Sequence, residues 1–139
     1  GNMKRAEIRE YVFKLLYCTE FHKDEDLQKQ YRLYMENLEQ LGEIKEIKEK
    51  DKEYIINRVT DIVSRIDDID KEIDKVAVSW KTDRMAKADL NILRLAYYEM
   101  NIDDDIPKPV AVDQAVELAK KYGTDDSPSF VNGVLAKLF

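Results

Sequence analysis

Glycine, proline, cysteine and histidine are all scarce in this chain, and each scarcity excludes something. Four glycines and three prolines punctuate 139 residues, and two of the prolines, Pro107 and Pro109, share one segment. So few chain breakers favour long helices over a fold of many turns. One cysteine, Cys18, leaves no intrachain disulfide, and with one histidine, His22, it cannot build a Cys/His metal cluster. Cys18 falls on an apolar helical face and is expected to be a small buried hydrophobe. His22 is expected at a solvated helix end. No apolar run approaches the ~20 residues needed to cross a bilayer, and the start of the chain lacks the apolar segment of a signal peptide. A soluble, cytoplasmic protein is the expectation. An excess of positive charge is missing too. With 23 Lys+Arg against 29 Asp+Glu the formal net charge is −6, so any nucleic-acid binding has to be local rather than driven by overall charge.

What the chain does have is helical periodicity. Ile8, Val12, Leu15 and Cys18 recur at helical spacing, with Tyr11 beside them. Leu27, Tyr31, Tyr34, Leu38 and Leu41 form a second stripe that ends at Gly42. Residues 42–52 are dense in Lys and Glu and read as a solvated connector or frayed helix end. Ile55, Val59, Ile62, Val63 and Ile66 form a third stripe, and Ile69, Ile73, Val76 and Trp80 a fourth. Thr82 can cap a fifth helix that is apolar nearly all round, from Met85 to Met100, which places it at the centre of a fold. After the loop at 101–109, Val112, Ala115, Val116, Ala119 and Tyr122 mark a sixth helix. Gly123 is expected to close it in the left-handed conformation, and Ser127, ahead of Pro128, to cap a seventh. No segment alternates in the strand pattern. The predicted fold is all-α, a bundle of about seven helices in one domain over 3–139, with Gly1 and Asn2 set aside as an added remnant ahead of Met3.

Catalysis lacks a constellation. There is no glycine-rich phosphate loop, no paired histidine spacing, and no triad beyond the lone His22. The acidic runs at 67–70 and 103–105 lack the spacing and turn glycine of a calcium loop and read as solvated acids. No cofactor or metal is expected.

Three placements call for more than core packing. In the first helix Arg5, Arg9, Phe13 and Tyr17 are spaced by four and form one row. Arginines that hold phosphates and rings that stack on bases are the combination used to bind single-stranded RNA. The alternative is that Phe13 and Tyr17 pack inward while the arginines pair with Glu7 or Glu10. In the last helix Val131, Val134, Leu135 and Leu138 make the core stripe, and Phe130, Gly133 and Lys137 fall on another flank. A helical glycine costs roughly 1 kcal/mol against alanine, so that flank either receives a close partner or lies under a second layer of the same protein. In the fifth helix Asp89 and Arg94 are charges in apolar surroundings. They read as a structural ion pair, or Asp89 reaches the surface as an acceptor for a base edge.

These segments together resemble the NusB family of bacterial transcription antitermination factors, from Met3 to Leu138. The resemblance is carried by Arg9-Glu10 with Leu16-Tyr17, by Trp80 with Arg84 and Asp89, and by Ile92-Leu93-Arg94-Leu95-Ala96 with Tyr98-Glu99. Ala115-Val116-Glu117-Leu118-Ala119-Lys120, Tyr122-Gly123 and Phe130-Val131-Asn132-Gly133-Val134-Leu135 complete it. The resemblance implies a non-enzymatic factor that joins the ribosomal protein NusE to bind boxA single-stranded RNA. The pair acts with RNA polymerase and other Nus factors in read-through and ribosomal RNA transcription. It further implies RNA contacts at Lys4, Arg5, Arg9, Tyr17, Asp89, Asp126, Ser127 and Phe130. The basic cluster here is thin and diluted by Glu7 and Glu10, which implies dependence on the partner for RNA affinity. A protein-interaction module without RNA contact is the competing function.

Overall fold

The computed structural model describes residues 3–19 and 26–139, so the expectation for His22 lies outside the described residues. Within them the chain is all-α, as its periodicity predicts. It forms seven α-helices and one 3₁₀ turn, with no strand among the described residues. It divides into two compact units, one ending at Ser64 and one running Arg65–Phe139.

The first unit contains α1 (Arg5–Cys18), α2 (Leu27–Gln40) and α3 (Glu49–Ser64), and both α1 and α2 pack on α3. Val12 and Leu15 from α1, Tyr31 from α2, and Ile55, Val59 and Ile62 from α3 are buried as their stripes predict. Leu16, Met35 and Ile56 join them, whereas Tyr34 and Leu41 of the expected α2 stripe are exposed, because Tyr31 and Met35 carry the buried face of that helix. Asp26 caps α2 by accepting from the Lys29 amide at 3.2 Å. The connector between α2 and α3 departs from expectation, because Ile47 and Lys52 are buried rather than solvated. The cause is Glu39. Its Oε2 accepts from the Ile47 amide at 2.9 Å, and its Oε1 lies 2.6 Å from the Lys52 ammonium. One carboxylate near the end of α2 thus fastens both the connector and the first turn of α3.

The second unit contains α4 (Ile66–Val76), the 3₁₀ turn Thr82–Arg84, α5 (Lys87–Asn101), α6 (Lys108–Tyr122) and α7 (Ser127–Ala136). Helix α5 touches α4, α6 and α7 and buries Ile92, Leu93, Leu95, Ala96, Tyr98 and Met100, the central position that its nearly all-round apolar sequence predicts. Thr82 does not cap it. The Thr82 amide and hydroxyl instead donate to the two carboxylate oxygens of Asp74, at 2.8 and 3.0 Å. That fastens the end of α4 to the 3₁₀ turn and moves the start of α5 to Lys87. Trp80 accordingly lies outside α4 and is 44 % exposed.

Arg94, buried in α5, takes neither Asp89 nor Glu117 as its carboxylate. Its Nε and Nη2 donate to the two oxygens of Asp70 in α4, at 2.8 and 2.7 Å, while Nη1 donates to Asn91 Oδ1 at 3.1 Å. A planar fork matched to a carboxylate is the strongest geometry open to a charge pair, and it makes one of the expected solvated acids structural.

Two stability experiments follow. Asp70→Asn removes the bidentate carboxylate from buried Arg94 and is expected to cost on the order of 3 kcal/mol in urea unfolding, whereas Asp89→Asn, which breaks no such pair, leaves the midpoint nearly unchanged. Equal losses for the two variants would mean that the pairing is wrong. The second concerns Glu39. Burial would push its carboxyl up, but the Lys52 ammonium and the Ile47 amide outweigh it and hold the pKa below the ordinary glutamate value. A depressed folded pKa contributes stability above the unfolded value, and that stability is lost as pH falls through the folded value. Wild type is therefore expected to lose stability below about pH 4.5 more steeply than Glu39→Gln, as measured by urea midpoints across an acid pH series.

Candidate nucleic-acid interface

The turn from α6 into α7 depends on a glycine, for a reason that sequence did not predict. Gly123 has φ −94° and ψ −166°, an extended conformation open to any residue, so the left-handed expectation fails. What excludes a side chain is proximity. A Cβ built there would overlap the Cβ and Oγ of Ser127 and lie 2.8 Å from the Ala119 carbonyl oxygen. The buried Ser127 hydroxyl accepts from the Thr124 amide at 3.0 Å. Ser127 is therefore the first residue of α7 and a clasp on the preceding turn, not the expected N-cap. The cap position belongs to Asp126, whose side chain makes no capping bond. Among the described residues the left-handed glycine is Gly42, at φ 72°.

That clasp sets Asp126 and Phe130 against the start of α5. Trp80, Arg84, Asp89, Asp126, Ser127 and Phe130 line a groove of about 620 Å³ within the second unit, inside the range of small-ligand pockets. Met85, Ala86 and Thr124 complete the lining. The Arg84 guanidinium lies 4.4 Å from the centroid of the half-exposed Trp80 ring, a cation–π pair that holds the indole flat against a charge. Asp89, in the first turn of α5, has an Oδ1 that is buried and accepts no hydrogen bond among the described residues. Arg94 is committed to Asp70 and does not fill this acceptor, which is enclosed rather than open to solvent.

Beyond Phe130 the flank of α7 is open. Gly133 and Lys137 are exposed, and a Cβ at Gly133 would meet nothing within 4 Å. The expectation that a second layer of the protein covers this face is therefore wrong. Of the expected stripe Val131, Val134 and Leu135 are buried, and Leu138, past the end of α7 at Ala136, is only partly so.

The four N-terminal candidates lie in the first unit. Lys4 and Arg5 are exposed, and Tyr17 is 40 % exposed. The row they were expected to form is interrupted. Arg9 is buried and engaged within the chain, and Phe13 is 2 % exposed in the core, with its ring centroid 6.0 Å from that of Tyr17. The spacing by four put these residues in line along the helix, but the stripe facing α3 is wide enough to take Phe13 as well. Cys18 is also corrected, being exposed, with the Tyr34 hydroxyl 3.7 Å from its sulfur. It ends the helix, where the apolar face runs out.

Trp80 and Arg84 were not singled out as site residues. Their signal was present, since the two are four apart and Trp80 is the chain's one tryptophan, but Trp80 also completes an apolar helical stripe, and only the end of α4 at Val76 removes it from the core.

The sequence profile of the NusB family matches residues 6–139. The transcription antitermination protein NusB of Agathobacter rectalis is 45 % identical over 135 residues, which span 97 % of this chain and 98 % of that protein. Among solved structures, NusB of T. maritima superposes with a TM-score of 0.81 at 36 % identity, covering 99 % of this chain and 92 % of the other. A crystal structure of the antitermination factors NusB and NusE in complex with dsRNA contains a chain with a TM-score of 0.74 and 27 % identity, covering 98 % and 97 %.

The two glycines of this region predict opposite outcomes in thermal unfolding. Gly123→Ala forces Ser127 and the Ala119 carbonyl apart and is expected to lower the melting temperature. Gly133→Ala gains helix propensity in open space and is expected to stabilise by up to about 1 kcal/mol. A neutral Gly123→Ala would contradict the clasp.

Proposed function

Because the chain belongs to the NusB family, we propose that it is a bacterial transcription antitermination factor that binds boxA RNA together with NusE. In this reading it supports read-through and ribosomal RNA transcription as part of the RNA polymerase elongation complex with other Nus factors. It works in the cytoplasm, without catalysis or cofactor, and residues 3–139 act as one RNA-binding domain. No helix among the described residues is long and apolar enough to cross a membrane.

The observation that carries the proposal is the groove. Four of the eight residues assigned to RNA contact, Asp89, Asp126, Ser127 and Phe130, line it together with the Trp80–Arg84 pair. Rings that bases can stack on, beside a cation and the polar residues Asp89 and Asp126, suit an unpaired nucleotide better than a regular duplex, whose bases are already stacked. Lys4, Arg5 and Tyr17 supply exposed cations and a ring at the start of the first unit, and Arg9 contributes by supporting that helix from its buried position. Ser127 is likewise buried, so its role is to set the turn that presents Asp126 and Phe130.

The charge balance makes NusE part of the function. At −6 overall, with few free cations at these positions, the chain alone releases few counterions from RNA, so a partner that contributes more phosphate contacts raises affinity and steepens the salt dependence.

A gel shift with boxA RNA over a salt series, with and without NusE, tests this. The chain alone is expected to bind weakly with a shallow salt slope, and addition of NusE to tighten binding and steepen the slope. Phe130→Ala is expected to cost about 1–3 kcal/mol of RNA affinity in the presence of NusE, the scale of one stacked base. Unchanged affinity in Phe130→Ala and Trp80→Ala alike would remove the groove from the RNA surface.

A further inference from the structure

We infer that helix α2 carries a self-association surface, on which two copies of this chain pair antiparallel about Tyr34, with Leu27 of each copy against Leu41 of the other. The surface uses none of the residues assigned to RNA contact and does not rest on the RNA-binding reading above.

Helix α2 has more apolar surface than α3 covers. One side packs on α3, where Tyr31 and Met35 are buried, Gln28 donates to Asn57 Oδ1 at 3.0 Å and Arg32 pairs with Glu49. At about 100° per residue, Leu27, Gln30, Tyr34, Asn37, Leu38 and Leu41 fall on the adjoining side, and that side is open. Tyr34 is 41 % exposed and Leu41 63 %, Leu27 and Leu38 are partly exposed, and Leu33 borders the stripe at 56 %. The Tyr34 hydroxyl reaches the Cys18 sulfur at 3.7 Å, which holds the central ring in place and lowers the entropy lost when a partner covers it. A contiguous apolar stripe left in water is a mark of an interaction site.

Charge and spacing select the occupant. A chain that is 37 % charged with a net charge of −6 repels its own copies at most faces, so two copies can meet only where charge is absent. The four charged residues of α2, Lys29, Arg32, Glu36 and Glu39, all fall on the far side of the helix from the stripe. RNA would find no cation within the stripe to hold a phosphate. The apolar pattern then reads the same in both directions. Leu27 and Gln30 stand seven and four residues before Tyr34, and Leu38 and Leu41 stand four and seven after it. Two such helices laid antiparallel across a two-fold axis at Tyr34 match layer for layer, Leu27 on Leu41, Gln30 beside Leu38 and Tyr34 on Tyr34. That is the self-complementarity a two-fold interface requires, and an unrelated partner helix would not need it. At the rim the same reversal brings Lys29 of each copy within one turn of Glu36 of the other, a pairing of opposite charges. One pair of 14-residue helices is small beside a standard interface of about 1,600 Å², so the dimer is weak and forms with rising concentration.

Sedimentation velocity on the full chain, from micromolar to millimolar concentration, tests the proposal. The weight-average mass of wild type is expected to rise from that of one chain, 16.3 kDa, toward twice that value. Leu41→Lys is expected to raise the dissociation constant by at least about tenfold, the equivalent of about 1.4 kcal/mol. Mixing reads the direction of the pairing. Leu27→Lys and Leu41→Glu, each impaired alone, are expected to associate with one another, because antiparallel helices set the first position against the second. Leu27→Lys mixed with Leu27→Glu is expected to stay apart. The wild-type dilution series needs no variant, and circular dichroism melting confirms that each variant is folded. A wild type that remains one chain at millimolar concentration overturns the proposal, and so does a dimer that Leu41→Lys leaves intact. Association of Leu27→Lys with Leu27→Glu in place of Leu41→Glu would overturn the antiparallel arrangement. If wild type remains one chain while Tyr34→Lys weakens binding to NusE, the stripe belongs to that partner and self-association falls.

Discussion

The pairing of Arg94 with Asp70 is the constraint on which the second unit depends. A guanidinium nearly enclosed in the central helix demands a carboxylate, and which carboxylate it takes decides what remains for function. By taking Asp70 with two bonds of 2.8 and 2.7 Å it joins α4 to α5 and neutralises the interior charge. By not taking Asp89 it leaves an acidic group at the start of α5 to line the groove. Had the pair formed within α5, the groove would have lost its polar anchor.

Around that choice, two further local bonds shape the groove walls. Asp74 draws the Thr82 amide and hydroxyl to the end of α4, which brings the segment bearing Trp80 and Arg84 out of the helix and into the open. The close approach of Gly123 and Ser127 makes the turn between α6 and α7 tight enough to set Asp126 and Phe130 on the same groove. Neither device carries chemistry. Each converts a position in sequence into a position beside Asp89, and each uses a short polar side chain or a missing one, the means by which small helical proteins fix turns without long loops.

The helices were legible because burial has a period. The stripes of α1, α3, α4 and α7 were readable from Val12, Val59, Ile73 and Val131 and their neighbours, and the packed interior obeys them. What sequence could not supply was the choice among partners of similar chemistry. Asp70, Asp89 and Glu117 are equally good carboxylates for Arg94 until the helices are placed. Phe13 and Tyr17 lie on one row at ideal spacing, yet the core takes the first and leaves the second, because the width of a buried stripe depends on the neighbouring helix. Gly123 is expected in the left-handed conformation and does not adopt it, whereas Gly42, which only marks the end of a stripe, does. The first is required by crowding and the second adopts positive φ, and only backbone angles distinguish the two. Lys52 and Ile47 sit in a stretch whose composition reads as solvated, and a single glutamate on another helix reverses that.

The resemblance to the NusB family, visible from ordered motifs, located the C-terminal candidates but not the surface that joins them. Trp80 is the piece that geometry added, and it also offers the most direct test. As the only tryptophan in the chain, it reports on the groove without labelling. Titration of the protein with boxA RNA at low salt, following tryptophan emission alongside anisotropy of the RNA, is expected to show quenching of Trp80 that saturates with binding, and a ring then shielded from a soluble quencher. Full binding by anisotropy with Trp80 emission and quencher access both unchanged would contradict the account, because the RNA would then be held somewhere other than this groove.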